Sequence, residues 1–128
     1  MKRTILVIED NEHNRYLVTF LLEQHGYRVR SETDGRRGIE AARAEVPDLI
    51  LLDIQLPGMD GYAVAQALRG HPELRTIPIV AVTSYAMPGD RERALAAGCT
   101  GYIEKPIDTE TFVVALAAAL GPDAAGGG

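Results

Sequence analysis

Five short apolar segments are spaced along the chain, and the three most apolar of them show no alternation with polar residues. These three span 5–8, 49–52 and 79–82 and read ILVI, LILL and IVAV. A strand with one solvated face alternates between apolar and polar residues, whereas a strand covered on both faces does not. The three segments therefore predict strands of a parallel sheet that is covered on both sides.

The other two apolar segments, 27–30 and 102–103, are more polar, as expected for strands nearer the edges of such a sheet. In the stretches between these five segments, apolar residues recur at the spacing of a helix. In the first of these stretches, Leu17, Phe20 and Leu21, followed by Gln24, recur at intervals of three and four residues and predict the apolar stripe of a helix. Asn11 is a suitable N-cap for this helix, and Gly26 is a suitable residue to end it.

Four further helices are predicted downstream, around 39–42, 62–68 and 90–97 and after the capping residue Asp108. The apolar face of the fourth helix consists mostly of alanine, so we expect it to pack loosely and to move easily. The last helix places its large apolar residues on one side: Phe112, Val113, Leu116 and Leu120.

Strand and helix alternate five times, which predicts an α/β fold with a five-stranded parallel sheet and helices on both faces. A length of 128 residues suits one domain. We assign residues 1–120 to this domain and expect the glycine-rich segment 121–128 to be a flexible tail.

The overall charge excludes several classes of function. Thirteen basic and 18 acidic residues give a net charge of −5, which disfavours binding to nucleic acid or to an anionic membrane. No apolar run approaches the roughly 20 residues that span a bilayer. One cysteine, Cys99, excludes an internal disulfide, and three scattered histidines make a zinc site improbable. We therefore expect a protein of the cytoplasm.

Polar residues stand where the predicted strands end. Glu9 and Asp10 follow the first strand, Asp53 the third and Thr83 the fourth, and the fifth leads to Lys105. Sites in open α/β sheets form beyond the carboxyl ends of the strands, so we expect these side chains to share one edge. Packed carboxylates repel one another, and a divalent cation relieves the repulsion. An all-oxygen ligand set favours Mg²⁺.

Asp53 is the predicted nucleophile of this site, because it stands alone at its strand end whereas Glu9 and Asp10 are adjacent and can share the metal. Attack by an aspartate on a phosphoryl group gives an acyl phosphate. Lys105 can meet an anionic ligand, and Thr83 adds a hydroxyl donor. Carboxylate, metal, lysine and hydroxyl together indicate phosphoryl transfer.

An ordered series of motifs resembles the receiver domain of two-component response regulators over residues 2–120. The matching segments are 7–11 (VIEDN), 51–61 (LLDIQLPGMDG), 82–84 (VTS), 97–98 (AG) and 105–106 (KP). Segment 81–90 is similar to stand-alone cell-cycle regulators of the DivK type and also to receivers fused to hybrid histidine kinases. The resemblance implies a flavodoxin-like, doubly wound sheet with strand order 2-1-3-4-5.

The resemblance also implies a role for each residue of the site. Asp53 would take a phosphoryl group from the phosphohistidine of a histidine kinase or histidine phosphotransfer protein. Mg²⁺ would be held by Glu9, Asp10, Asp53 and the backbone carbonyl of Gln55. Lys105 would pair with the phosphoryl oxygens, after a Lys-Pro bond that is usually cis in the family. Such a chain is a phosphoacceptor that catalyses its own phosphotransfer and slow dephosphorylation, and no classical enzyme.

Switching and lifetime are implied in the same way. Thr83 would swing toward the phosphoryl group and Tyr102 would rotate inward, which remodels the face of the fourth helix, fifth strand and fifth helix where a downstream protein docks. For Tyr102, simple packing on an edge strand is the competing interpretation. Gln55 and Tyr85, two residues beyond Asp53 and Thr83, would tune hydrolysis, and the bulk of Tyr85 predicts slow hydrolysis.

Other functions fit the sequence less well. Mg²⁺-dependent phosphatases with an aspartate nucleophile place it at the end of the first strand with a second acid two residues on, whereas this strand ends in Glu9, Asp10 and Asn11. A binding module that is never phosphorylated usually loses one of the acids or the lysine, and all are kept here. No glycine-rich phosphate-binding loop for a nucleotide or flavin follows the first strand.

Overall fold

Parallel strands and helices alternate along the chain. The structure, a computed structural model, describes residues 2–56, 58–83, 87–105 and 108–121. The strands are β1 (Thr4–Ile8), β2 (Arg28–Glu32), β3 (Leu49–Asp53), β4 (Ile79–Thr83) and β5 (Gly101–Glu104). The α-helices are α1 (Glu12–Gln24), α2 (Gly35–Ala44), α3 (Gly61–Arg69), α4 (Asp90–Ala96) and α5 (Thr109–Leu120), and a 3₁₀ turn at Pro72–Leu74 follows α3.

The sheet has the order β2-β1-β3-β4-β5 with every pair parallel, so the predicted α/β fold and strand order are confirmed. Its three central strands are buried, as their continuous apolar sequences require. Alternate side chains of β1 supply two separate cores. Leu6 and Ile8 pack on the face covered by α2, α3 and α4, and Ile5 and Val7 pack on the face covered by α1 and α5.

β2 begins and ends later than the sequence predicts. The strand spans Arg28–Glu32, because its ladder with β1 continues from Thr4 opposite Arg28 to Ile8 opposite Glu32. Tyr27 is buried just before the strand. Backbone pairing in an edge strand does not need apolar side chains. The apolar run 27–30 therefore predicts that a strand is present but not the residues at which it begins and ends.

The predicted apolar stripe of α1 is wrong in two of its positions. Val18 and Leu22 are the buried residues of the helix, whereas Leu17 is 39% and Phe20 51% exposed. Leu21 is partly buried against the same core. Apolar residues occupy 16–18 and 20–22, so two stripes of helical spacing fit the sequence equally well, and contact with the sheet decides between them.

Strand register brings the predicted site residues to one edge. Ile8 lies opposite Leu52, and Asp53 opposite Val82, so the residues after β1 and the ends of β3 and β4 are neighbours. Tyr85 and Pro106, which the sequence singled out, lie outside the described residues, as does the tail from 122 onward. Within the described ranges, no helix is both long enough and apolar enough to cross a membrane.

Candidate functional site

Three carboxylates meet at the carboxyl edge of the sheet. One oxygen from each of Glu9, Asp10 and Asp53 lies within 4.8 Å of the other two. Glu9 is 5% and Asp53 4% exposed, whereas Asp10 is exposed at the mouth of the cluster. Hard oxygen donors at this spacing, with like charges that repel, fit a hard divalent cation such as Mg²⁺.

Lys105 is the cation of the cluster in the described structure. Its Nζ lies 2.9 Å from Glu9 Oε1 and 3.4 Å from Asp53 Oδ2. Burial alone would lower the pKa of Lys105, but its hydrogen bond to Glu9 and the nearby charge of Asp53 outweigh burial and raise the pKa above its usual value. The lysine therefore stays protonated at neutral pH, and it balances one of the three carboxylates.

The repulsion that remains among the carboxylates acts mainly on the carboxyl of Glu9. Burial, followed by the hydrogen-bonded carboxyl of Asp53, raises the pKa of Glu9 to about 7, although Lys105 acts in the opposite direction. Without a metal ion, this carboxyl therefore holds a proton in a large share of molecules at neutral pH. A divalent cation in the cluster would take the place of that proton.

Gln55 connects the end of β3 to the end of β4. Its backbone N–H donates to Asp53 Oδ1 at 2.9 Å, and its side-chain Nε2 donates to Thr83 Oγ1 at 2.6 Å. Thr83 itself is 2% exposed. The sequence places these residues 28 positions apart and gives no sign of their contact, which arises because β3 and β4 are paired. The role of the Gln55 carbonyl as a metal ligand stays a prediction.

A side chain of α1 holds the turn that follows β1, and the sequence did not predict this contact. One guanidinium nitrogen of Arg15 donates to the carbonyl oxygens of Glu9 and Asp10, both at 3.0 Å. The N–H of Asn11 donates to Glu9 Oε2 at 3.2 Å, and the Asn11 side chain caps α1 by accepting from Asn14 N–H. An arginine one turn into a helix can reach back to the preceding loop, but its spacing alone does not distinguish it from a solvated arginine.

Tyr102 lies on β5 and is half-buried. Its hydroxyl is buried and, among the described residues, makes no hydrogen bond. Burial, followed by the charges of Asp90 and Glu104, raises the pKa of Tyr102. A buried hydroxyl without a partner costs about 1–3 kcal/mol. Another conformation of the Tyr102 side chain could therefore remove this free-energy cost by giving the hydroxyl a partner.

The strand order of this sheet is typical of a signalling receiver domain, and so is the set of side chains at its carboxyl edge. That set is an acidic cluster, a lysine and a threonine. The chain belongs to the response regulator receiver domain family, whose sequence profile matches residues 5–117. Members of this family are phosphoacceptor signalling proteins of two-component systems, and not classical enzymes. They interact with histidine kinases or phosphotransfer proteins and with downstream effectors.

Within the family the chain is DivK-like. It is 42% identical over 121 residues to the polar-differentiation response regulator DivK of Brucella anthropi, across 94% of this chain and 98% of that protein. The DivK of Brucella ovis matches to the same extent.

Solved structures agree with the assignment to the receiver domain family. The receiver domain of a sensor histidine kinase from Pseudomonas aeruginosa, solved with a magnesium ion coordinated in its active-site cleft, superposes with a TM-score of 0.88 at 34% identity. The match covers 95% of this chain and 100% of that one. The chemotaxis protein CheY4 of Vibrio cholerae gives a TM-score of 0.89 at 28% identity, over 93% of this chain and 99% of that one.

Proposed function

We propose that the chain is a phosphorylation-dependent switch in a two-component phosphorelay and that Asp53 accepts the phosphoryl group. The observation that carries the proposal is the cluster of Glu9, Asp10 and Asp53 with Lys105 in hydrogen-bond distance of two of them. The donor would be the phosphohistidine of a histidine kinase or histidine phosphotransfer protein, so the chain would act in the cytoplasm.

In the proposed step, a carboxylate oxygen of Asp53 attacks phosphorus, and the P–N bond to the donor histidine breaks. The electron pair of that bond stays on the imidazole nitrogen, and the product on this chain is an acyl phosphate. The N–H of Gln55, which donates to Asp53 Oδ1, orients the carboxylate. The ammonium of Lys105, already beside Asp53 Oδ2, is available to the transferred oxygens.

The carboxylates of Glu9, Asp10 and Asp53 would hold Mg²⁺, with the Gln55 carbonyl as a further ligand. The fit rests on the donor set, since three carboxylates with converging oxygens and one lysine leave an excess of negative charge. When bound, the ion would neutralise charge on the phosphoryl oxygens. The magnesium in the cleft of the Pseudomonas aeruginosa receiver domain supports the same choice of metal.

Thr83 and Tyr102 are the proposed switch. Thr83 ends the strand next to Asp53, and the hydroxyl of Tyr102 has no partner in the described part of the chain. A turn of Thr83 toward the phosphoryl group would open space for Tyr102 to move inward. The face formed by α4, β5 and α5 would then change, and a downstream protein would dock there. α4 suits this role, because Ala94 is its buried residue and Leu95 is 51% exposed.

Gln55 and Tyr85 are proposed to set the lifetime of the acyl phosphate. Gln55 is exposed, and its backbone N–H donates to Asp53 while its side chain donates to Thr83. A side chain in this place can affect the approach of water to Asp53. For Tyr85 the proposal rests on its place two residues after Thr83 in the sequence.

The deciding experiment is intact-mass analysis after incubation with acetyl phosphate, with and without Mg²⁺. The wild type is compared with Asp53→Asn and with Asp60→Asn, a control in which an exposed N-cap aspartate keeps its capping ability. We expect one phosphoryl adduct in the wild type and in the control, only with Mg²⁺, and none in Asp53→Asn. An adduct that persists in Asp53→Asn, or no adduct with either acetyl phosphate or a cognate kinase, would refute the proposal.

A further inference from the structure

We infer that Arg15 is a positioning residue for metal binding, which acts by fixing the backbone of Glu9 and Asp10. The inference rests on the proposed Mg²⁺ site. Arg15 lies on α1, is half-buried, and directs one guanidinium nitrogen at two consecutive carbonyl oxygens, each at 3.0 Å. A hydrogen bond from a charged donor to a carbonyl is stronger than a neutral one, so this pair of contacts holds the turn firmly.

The three carboxylates differ in how their side chains are held. Glu9 accepts from Lys105 and from the N–H of Asn11. Asp53 accepts from the N–H of Gln55 and from Lys105. These two side chains therefore keep their positions through direct contacts of their own oxygens.

Asp10 has no such support. It is exposed, and among the described residues the structure gives no hydrogen bond or ion pair to its carboxylate. What directs this carboxylate toward Glu9 and Asp53 is its own backbone, and the carbonyl of that backbone is held by Arg15. A short side chain with few rotamers follows its backbone closely, so a tilt of this peptide would move the carboxylate out of the cluster.

Charge and position make opposite predictions for the loss of Arg15. If the guanidinium mattered only as a positive charge near the site, its removal would tighten the binding of a cation. If it holds the ligand backbone, its removal weakens binding. Loss of a group that orients metal ligands typically costs 10- to 100-fold in affinity, and we expect about 10-fold for Arg15→Ala because Glu9 and Asp53 keep their own contacts.

The test is a titration with MgCl₂ at constant ionic strength, followed by the amide NMR signals of Asn11 and Gln55. Arg15→Ala is compared with the wild type and with Arg91→Ala, which removes one positive charge from the exposed face of α4. We expect the dissociation constant for Mg²⁺ to rise about 10-fold in Arg15→Ala and to stay unchanged in Arg91→Ala. The dispersion of the same spectra reports whether each variant is folded.

Arg15→Lys is the second variant. It keeps the charge and a donor but loses the reach and planar shape of the guanidinium, so we expect weakening of about threefold. Should Arg15→Ala fail to fold, unchanged affinity in Arg15→Lys would overturn the inference. Equal or tighter binding in a folded Arg15→Ala would overturn it directly while the Mg²⁺ site stands. A wild type that binds no Mg²⁺ would overturn both this inference and the proposed metal site.

Discussion

The side-chain amide of Gln55 donates a 2.6 Å hydrogen bond to the hydroxyl of Thr83, so a proposed lifetime residue is bonded to a proposed switch residue. If Thr83 turns toward the phosphoryl group, this bond must break. A neutral hydrogen bond contributes about 0.5–1.5 kcal/mol, so its removal in Gln55→Ala should favour the switched state by up to about tenfold.

The amide NMR signal of Tyr102, which lies on another strand, measures that shift in population. In unphosphorylated Gln55→Ala the signal should move along the line that joins the unphosphorylated and phosphorylated wild type. Gln66→Ala, at an exposed position of α3, is the matched control and should leave the signal in place. A Tyr102 signal in Gln55→Ala identical to that of the unphosphorylated wild type would show that the bond does not restrain the switch.

The raised pKa of Glu9 predicts how the metal-free protein responds to pH. The folded protein holds the Glu9 proton up to a pKa of about 7, whereas the unfolded chain releases it near 4.5. Between these values the folded state binds more protons than the unfolded state, so the free energy of unfolding falls as pH rises. This contribution to stability is fully present below about pH 4.5 and is lost above about pH 7.

Urea unfolding in EDTA at several pH values across that window measures the effect. Glu9→Gln is the matched variant, because it keeps the shape of the side chain and cannot ionise. The difference in unfolding free energy between Glu9→Gln and the wild type should grow with pH. A difference that stays constant from pH 4.5 to 7 would mean that Glu9 titrates alike in the folded and unfolded states.

Much of the site could be predicted from the sequence because it stands at strand ends. Unbroken apolar runs place the ends of β1, β3 and β4, and parallel topology then brings Glu9, Asp53 and Thr83 together without any knowledge of side-chain contacts. Contacts such as Gln55 to Thr83 and Arg15 to the carbonyl of Asp10 depend on rotamers and on the tilt of α1. No spacing in the sequence carries that information.

Cys99 should be nearly inert to alkylation in the folded protein. Its side chain is 4% exposed, and burial raises the pKa of its thiol to about 11, against the opposing charge of Arg69. Only the thiolate reacts, so at pH 8 we expect iodoacetamide to label the native chain at least about 100-fold more slowly than the chain unfolded in guanidinium.

Mass spectrometry follows this labelling cleanly, because the sequence contains one cysteine. Leu68→Ala, a cavity-forming change in the core that also contains Cys99, should accelerate labelling by making opening more frequent. Val114→Ala, at a position that is 68% exposed, should not. Native and unfolded rates within tenfold of each other would place the thiol in contact with solvent.

The corrected face of α1 makes the final prediction, with the same substitution at two positions of one helix. Leu22 is fully buried against the core that contains Val18 and Leu116, whereas Leu17 is 39% exposed. Leu22→Ala should therefore lower the free energy of unfolding by about 2–5 kcal/mol, and Leu17→Ala by less than about 1 kcal/mol. Chemical denaturation with a common slope measures both. Since alanine favours helix at either position, propensity cancels in the comparison. Equal losses would restore the apolar stripe that the sequence spacing predicted.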